Sequence, residues 1–210
     1  TCALLNDETF KCWGYNEYGQ LGNGNAGLAY HIGDGADEMA AIQAVRLSND
    51  GTTIKQIEAG DNHTCALTTQ GKIKCWGYGL NGQLGYNNPS NVASPGNVSY
   101  INLGQDTGSN DYTATKIILG QESTCAILND NNMKCWGHNQ WGELATGNDF
   151  SIGHNSEDAS KVENASIISL GSTVTKASAG WGHICAVLSD NSTKCWGSGE
   201  YGMLGNGNIQ

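Results

Sequence analysis

Proline is almost missing from this sequence, with two residues in 210, and phenylalanine is as scarce. Basic residues are also few: ten Lys and Arg stand against twenty Asp and Glu, for a formal net charge of −10. That balance excludes wrapping a nucleic-acid backbone, which needs clustered Lys and Arg. No run of about 18 apolar residues occurs, so no helix of the membrane-spanning kind is encoded. No C-x-x-C pair occurs, which removes the commonest zinc-ligand spacing. An initiator Met and a signal-peptide pattern are both lacking, and the chain opens inside a repeat. It therefore reads as a mature fragment or a window cut from something longer.

Glycine and cysteine are plentiful. Thirty glycines are roughly double the usual share of about 7%, and they point to turns and close backbone approach rather than long helices. The chain repeats itself. "HTCALTTQGKIKCWGYGLNGQLG" (63–85) returns as "TCALLNDETFKCWGYNEYGQLG" at the start, "STCAILNDNNMKCWGHNQWGELA" from Ser123 and "HICAVLSDNSTKCWGSGEYGMLG" from His183. Four copies at a period of 60–63 residues suit a propeller blade or a pair of hairpins better than most helical repeats. The repeats divide as 1–61, 62–121 and 122–181, with a partial fourth at 182–210.

Eight cysteines fall in four pairs of fixed spacing: Cys2/Cys12, Cys65/Cys75, Cys125/Cys135 and Cys185/Cys195. An even count at one spacing reads as a disulfide framework and so an oxidising compartment. Free thiols are the first competitor. Metal is the second, through His63/Cys65 and His183/Cys185, although the other two copies have no His at that place.

Each copy reads as a β-hairpin. If Cys65 faces Cys75, then Leu67 faces Ile73 and the loop is Thr69-Gln70-Gly71, whose last residue needs the left-handed region. The copies supply Gly71, Asn131 and Asn191 there, with Glu8 the exception. Period-two alternation puts cysteine and apolar pairs on one face: Leu4/Phe10, Leu67/Ile73, Ile127/Met133 and Val187/Thr193. Each bridge closes a small loop, worth about 2–3 kcal/mol by loop entropy.

A Trp-Gly pair follows every hairpin, and then a second glycine cluster such as Tyr18-Gly19-Gln20-Leu21-Gly22. Tyr18, Trp141 and Tyr201 hold equivalent places in these clusters and are candidates for protein contact; packing between neighbouring sheets is the competing role. A strand-like run ending in glycine precedes three of the hairpins: "IKQIEAG", "KIILG" and "VTKASAG". Long polar connectors join the copies and differ most between them, as loops that carry binding specificity do.

No G-x-S-x-G elbow, phosphate loop or dinucleotide fingerprint is present, and the five histidines lie outside catalytic motifs. The reading is therefore no enzyme, no metal site and no cofactor. Calcium is weighed at Asp34, Asp37 and Glu38 and, 120 residues on, at His154, Glu157 and Asp158; solvated loop acids are the simpler account, since the EF-hand pattern is absent. Four N-x-[ST] sequons, at Asn62, Asn97, Asn164 and Asn191, are candidate N-glycosylation sites in a secretory pathway.

The combination G-x-x-H-T-C-A-L … K-C-W-G-x-x-x-x-G-Q-L-G resembles the regulator of chromosome condensation repeat family over essentially the whole chain. The resemblance implies an all-β fold of β-propeller-type blades, seven four-stranded ones in a typical member. Here about three and a half repeats make part of a larger propeller or of an open array. The cysteines look like those of secreted members. The expectation that follows is a non-enzymatic, extracellular or cell-surface scaffold, structural or fibre-forming, whose partners are proteins or copies of itself. The first alternative is a secreted propeller that binds or inhibits one protein target. The remoter one is guanine-nucleotide exchange, the activity for which the family is named. A light-sensing role, which uses clustered tryptophans, is set aside because only "GWGH" (180–183) places one at that position.

Overall fold

The computed structural model describes residues 1–48, 51–157 and 160–208. The stapled hairpins are β1 (Cys2–Leu4) with β2 (Phe10–Cys12), β4 (His63–Thr68) with β5 (Ile73–Gly77), β7 (Ser123–Leu128) with β8 (Met133–Gly137), and β10 (His183–Leu188) with β11 (Thr193–Gly197). The glycine-ended runs form β3 (Ile54–Ala59), β6 (Ala114–Leu119) and β9 (Val174–Ala179). Each pairs antiparallel with the first strand of the hairpin that follows it. The result is three three-stranded sheets, β3-β4-β5, β6-β7-β8 and β9-β10-β11, and one two-stranded sheet, β1-β2. Strands β3, β6 and β9 touch in succession, so they line a common inner side.

The hairpin register is the one the cysteine spacing predicts. Cys65 faces Cys75 and Leu67 faces Ile73, and the other copies repeat the pairing. All eight cysteines are bridged across the hairpins, with Cα atoms 4.1 Å apart in each pair. Such close approach marks non-hydrogen-bonded antiparallel pairs. The last loop residue has φ of 77° at Gly71, 62° at Asn131 and 65° at Asn191. Glu8 takes the same conformation, with φ of 67°. The first loop thus keeps its shape with an unfavourable residue; its Oε1 accepts a hydrogen bond from Thr53 Oγ1 at 2.9 Å.

In the middle sheets the alternation of apolar and polar disappears. Every residue of β4, β5, β7 and β8 is buried, because a blade between two neighbours is covered on both faces. In the last sheet β11 has no buried residue.

The seams between sheets follow one plan. The Trp76 indole N–H donates to the Gln20 carbonyl at 3.0 Å, Trp136 to Gln83 at 3.1 Å and Trp196 to Glu143 at 2.9 Å. Thr64 and Thr124 hydroxyls donate to the same Gln20 and Gln83 carbonyls. Gly22 and Gly85 lie under these rings: a Cβ there would come within 2.6 and 2.8 Å of the Trp76 and Trp136 indole nitrogens. Ala145 stands in the third copy and still adopts φ of 53°, a conformation that costs an L-residue about 1–2 kcal/mol.

The lysine of K-C-W-G has a role that the sequence reading passed over. Buried Lys134 donates to the carbonyls of Leu103 at 2.8 Å, Val162 at 3.3 Å and Glu163 at 3.2 Å. Lys74 reaches the Leu47 and Pro95 carbonyls, and Lys194 that of Leu170. Each ammonium ties connector backbone to a hairpin. Recurrence at one position in four copies was the available signal.

Candidate protein-contact face

Strand direction collects one set of loops at a single end of the molecule. Ala59 leaves β3 opposite Thr64, and His63 enters β4 opposite Gly77. The equivalent pairs Leu119/Thr124 and Ser123/Gly137 repeat this in the next sheet, as do Ala179/Ile184 and His183/Gly197 in the last. Inner-strand exits, hairpin openings and Trp-Gly loops therefore share one face.

Aromatic contacts run across this face from sheet to sheet. Tyr18 packs on Tyr78 with ring centroids 4.8 Å apart, and Trp141 on Trp181 at 4.9 Å. Asn81, at the corresponding place between them, donates to Glu122 Oε2 at 2.8 Å. Tyr18 and Trp141 are half-buried in these seams, whereas Tyr201 is 93% exposed. Tyr15 adds to the series by packing on His31 at 4.8 Å and donating to Glu17. Burial, reinforced by the Glu122 carboxylate, raises the Tyr78 pKa.

At the centre of the face the inner-strand exits meet. Ala59-Gly60-Asp61, Leu119-Gly120-Gln121 and Ala179-Gly180-Trp181 enclose a depression of about 300 Å³. Gly60 is a required glycine, since a Cβ there would stand 2.8 Å from the Gly120 carbonyl oxygen and 2.9 Å from the His63 ring. Trp181 stands at the rim with 49% of its surface exposed. Beneath Gly60, His63 is buried, with Nε2 2.9 Å from Thr124 Oγ1. Burial lowers its pKa to about 4. Trp181 was noticed in the sequence only as a lone tryptophan, and Asp61 carried no signal; folding brings both to one rim.

The other candidate residues are scattered. Asn97, Asn164 and Asn191 are exposed. Asn62 is half-buried in a seam, where its carbonyl accepts from the Tyr78 amide at 2.8 Å. Glu38 turns inward on its own loop, with Oε2 accepting from the Gly33 and Gly35 amides at 2.7 and 2.9 Å; these bonds lower its pKa. Asp34 and Asp37 are exposed. His154 Nε2 lies 3.0 Å from Asn155 Nδ2, and the Glu157 amide donates to Asn155 Oδ1. Asp158 lies outside the described residues. Among the described residues no three His, Cys, Asp or Glu side chains gather as metal ligands, and no helix is long and apolar enough to cross a membrane.

The family model for the regulator of chromosome condensation (RCC1) repeat matches residues 54–83 and 174–202, the β3-to-Gln83 stretch and its counterpart two copies later. These two stretches of the chain are RCC1-type repeats. It is 26% identical over 199 residues to the ultraviolet-B receptor UVR8 of Arabidopsis thaliana, a match covering 94% of this chain and 39% of the receptor. Among solved structures, yeast RCC1 (Prp20), crystallised bound to Kap60, superposes with a TM-score of 0.67 at 18% identity, covering 96% of this chain and 42% of that one. The ectodomain of the Physcomitrella patens receptor kinase CR4 superposes with a TM-score of 0.52 at 22% identity, covering 94% and 38%. The fold is thus a partial RCC1-type β-propeller with disulfide-stapled blades. The chain spans about two-fifths or less of the length of the curated relatives it matches.

Proposed function

We propose that this RCC1-repeat chain works outside the reducing interior of the cell as a non-enzymatic scaffold that acts through protein–protein contact. The observation that carries this reading is the pairing of all eight cysteines across four hairpins. Four short-loop disulfides have little use where glutathione keeps thiols reduced. A scaffold meets its partners through loops on a rigid frame, and the seams supply the rigidity. The likeness to a receptor-kinase ectodomain agrees with an extracellular setting. Exposed Asn97, Asn164 and Asn191 would carry N-linked glycans in a eukaryotic secretory pathway.

Alkylation of protein purified from its native source, with no reductant present, tests the reading by intact mass. No added label is the expected result; eight labelled cysteines overturn it. Self-assembly into a fibre and recognition of a distinct partner are two forms of the scaffold role. The aromatic face favours the second. Light scattering of the native material distinguishes them: a monodisperse particle is expected, and growing assemblies would restore the fibre.

A further inference from the structure

We propose that an N-linked glycan on Asn164 folds back into the crevice beside it, its first N-acetylglucosamine lying on the Phe150 ring. The proposal rests on the extracellular reading above and singles out one glycan as part of the folded structure. Three separate observations converge on it.

The first is recurrence. The sequons Asn97-Val98-Ser99 and Asn164-Ala165-Ser166 hold the same place in consecutive repeats. Each asparagine ends a one-turn 3-10 helix, Pro95–Asn97 or Val162–Asn164. Four residues on, the Ile101 amide donates to the Ile73 carbonyl and the Ile168 amide to that of Met133, both at 2.9 Å. Ile73 and Met133 are matching hairpin residues. In the first repeat Val45 makes the corresponding bond to Phe10 at 2.7 Å, and Ala41 stands where the asparagine would be. Chance matches in an Asn-rich chain scatter, whereas these two coincide.

The second is the space next to Asn164. Together with Thr146, Asn148, Phe150, Asn155 and Ser160 it lines a crevice of about 480 Å³, within the range of about 300–1,000 Å³ for small-ligand sites. Glu157 carries the one formal charge among the described residues of its wall. Hydroxyl and amide side chains around one aromatic ring match a sugar, which is uncharged, edged with hydroxyls and apolar on its C–H faces.

The third is the ring itself. Phe150 is 72% exposed, whereas Phe10 is wholly buried. The Phe150 backbone is fixed, its amide donating to Asn148 Oδ1 at 3.0 Å and its carbonyl accepting from Asn139 Nδ2 at 3.1 Å. A phenyl ring held open to water on an ordered backbone offers a pyranose face an apolar platform at little ordering cost. The rings of the matching crevice at Asn97 are already engaged. Tyr100 lies under the Lys72 and Lys74 ammonium groups at 5.3 and 5.0 Å, and the Tyr86 hydroxyl donates to the Cys75 carbonyl at 2.9 Å. A glycan on Asn97 therefore stays in solvent.

Transfer joins Asn164 Nδ2 to the sugar C1 as the C1–O bond to a lipid pyrophosphate donor breaks. The pyrophosphate leaves with the electron pair, and a base of the host transferase takes one amide proton. The seated sugar then links the loop around Phe150 to the helix that ends at Asn164.

Glycopeptides of the native material are mapped first, and an occupied Asn164 is expected. The full chain, secreted from eukaryotic cells with its disulfides intact, is then treated in its folded state with peptide-N-glycosidase. The Asn164 glycan should be released about fivefold or more slowly than the Asn97 glycan. Phe150→Ala, at an exposed position that folding does not depend on, should bring the two rates within about twofold of each other. Phe150→Tyr should keep the slow release. A bare Asn164, equal rates in wild type, or slow release undiminished in Phe150→Ala would each overturn the proposal. Tight binding of free diacetylchitobiose by Asn164→Gln would overturn it in favour of a separate saccharide ligand. Intact bridges with a bare Asn164 would sink the glycan seat and leave the extracellular reading standing, whereas eight free cysteines in native material would sink both.

Discussion

The indole nitrogen of Trp136 lies 3.1 Å from the backbone carbonyl of Gln83, in the seam between the second and third sheets. That carbonyl also accepts the Thr124 hydroxyl, so one oxygen anchors two residues of the neighbouring blade. Its own side chain is fully buried. Blade-to-blade order thus hangs on main-chain acceptors, which tolerate change in the side chain that bears them. Met203 standing where the earlier copies have Gln or Glu is consistent with this.

Trp136→Phe removes the indole donor and keeps most of the apolar area. An unpaired buried acceptor costs about 1–3 kcal/mol, although Thr124 still serves this one. A loss of about 1–2 kcal/mol is expected in denaturant unfolding. Trp196→Phe, in the half-exposed last blade, should lose less.

Lys134→Met keeps the aliphatic stem and deletes the ammonium. Three connector carbonyls then lose their donor, and burial already lowers the pKa of this lysine. Hydrogen bonds to charged groups contribute about 1.5–3 kcal/mol each way they are measured. A loss of about 2 kcal/mol is expected, with faster proteolysis of the 103–112 connector than in wild type. An unchanged midpoint would remove the anchoring role.

His63 makes stability depend on pH. Its folded pKa of about 4 lies below the ordinary histidine value of 6.5, so the unfolded chain takes up a proton between those values while the folded one does not. Stability from this group is therefore complete above about pH 6.5, falls as pH drops towards 4, and is level below. The full change is on the order of 3 kcal/mol. Ser123 occupies the same place in the next copy, so His63→Ser should fold and flatten the curve in that window. Identical curves for the two proteins would refute the assignment.

The disulfides should open in a set order. Cys65–Cys75 and Cys125–Cys135 are buried, whereas Cys2, Cys185 and Cys195 are half-exposed. Limited reductant should release Cys185 and Cys195, and Cys2 with Cys12, before the middle pairs. Trapping with iodoacetamide and peptide mapping reads the order; simultaneous release of all four bridges would contradict it.

The hairpins were legible because each rests on neighbours within about fifteen residues. Cysteine spacing, the left-handed loop position and the alternating pairs all act locally, and they agree with one register. Glu8 was the doubtful point, and the fold holds it in the left-handed region even so. Lys74, Lys134 and Lys194 were not legible as anchors, since their carbonyl partners lie 21 to 31 residues away in connectors that share no pattern.

What the sequence determined by itself was the repeating unit: strand, stapled hairpin, Trp-Gly turn, and an acid-rich chain short of Lys and Arg. What only the tertiary structure decided was which residues of different units meet. Gly60, Gly120 and Gly180 converge, Trp181 comes to rest on Trp141, and the His63 ring lies between Gly60 and Thr124. The physical reason is range. Hairpin register follows from bonds along one short stretch of chain, whereas the face exists only after sheets some sixty residues apart have packed side by side.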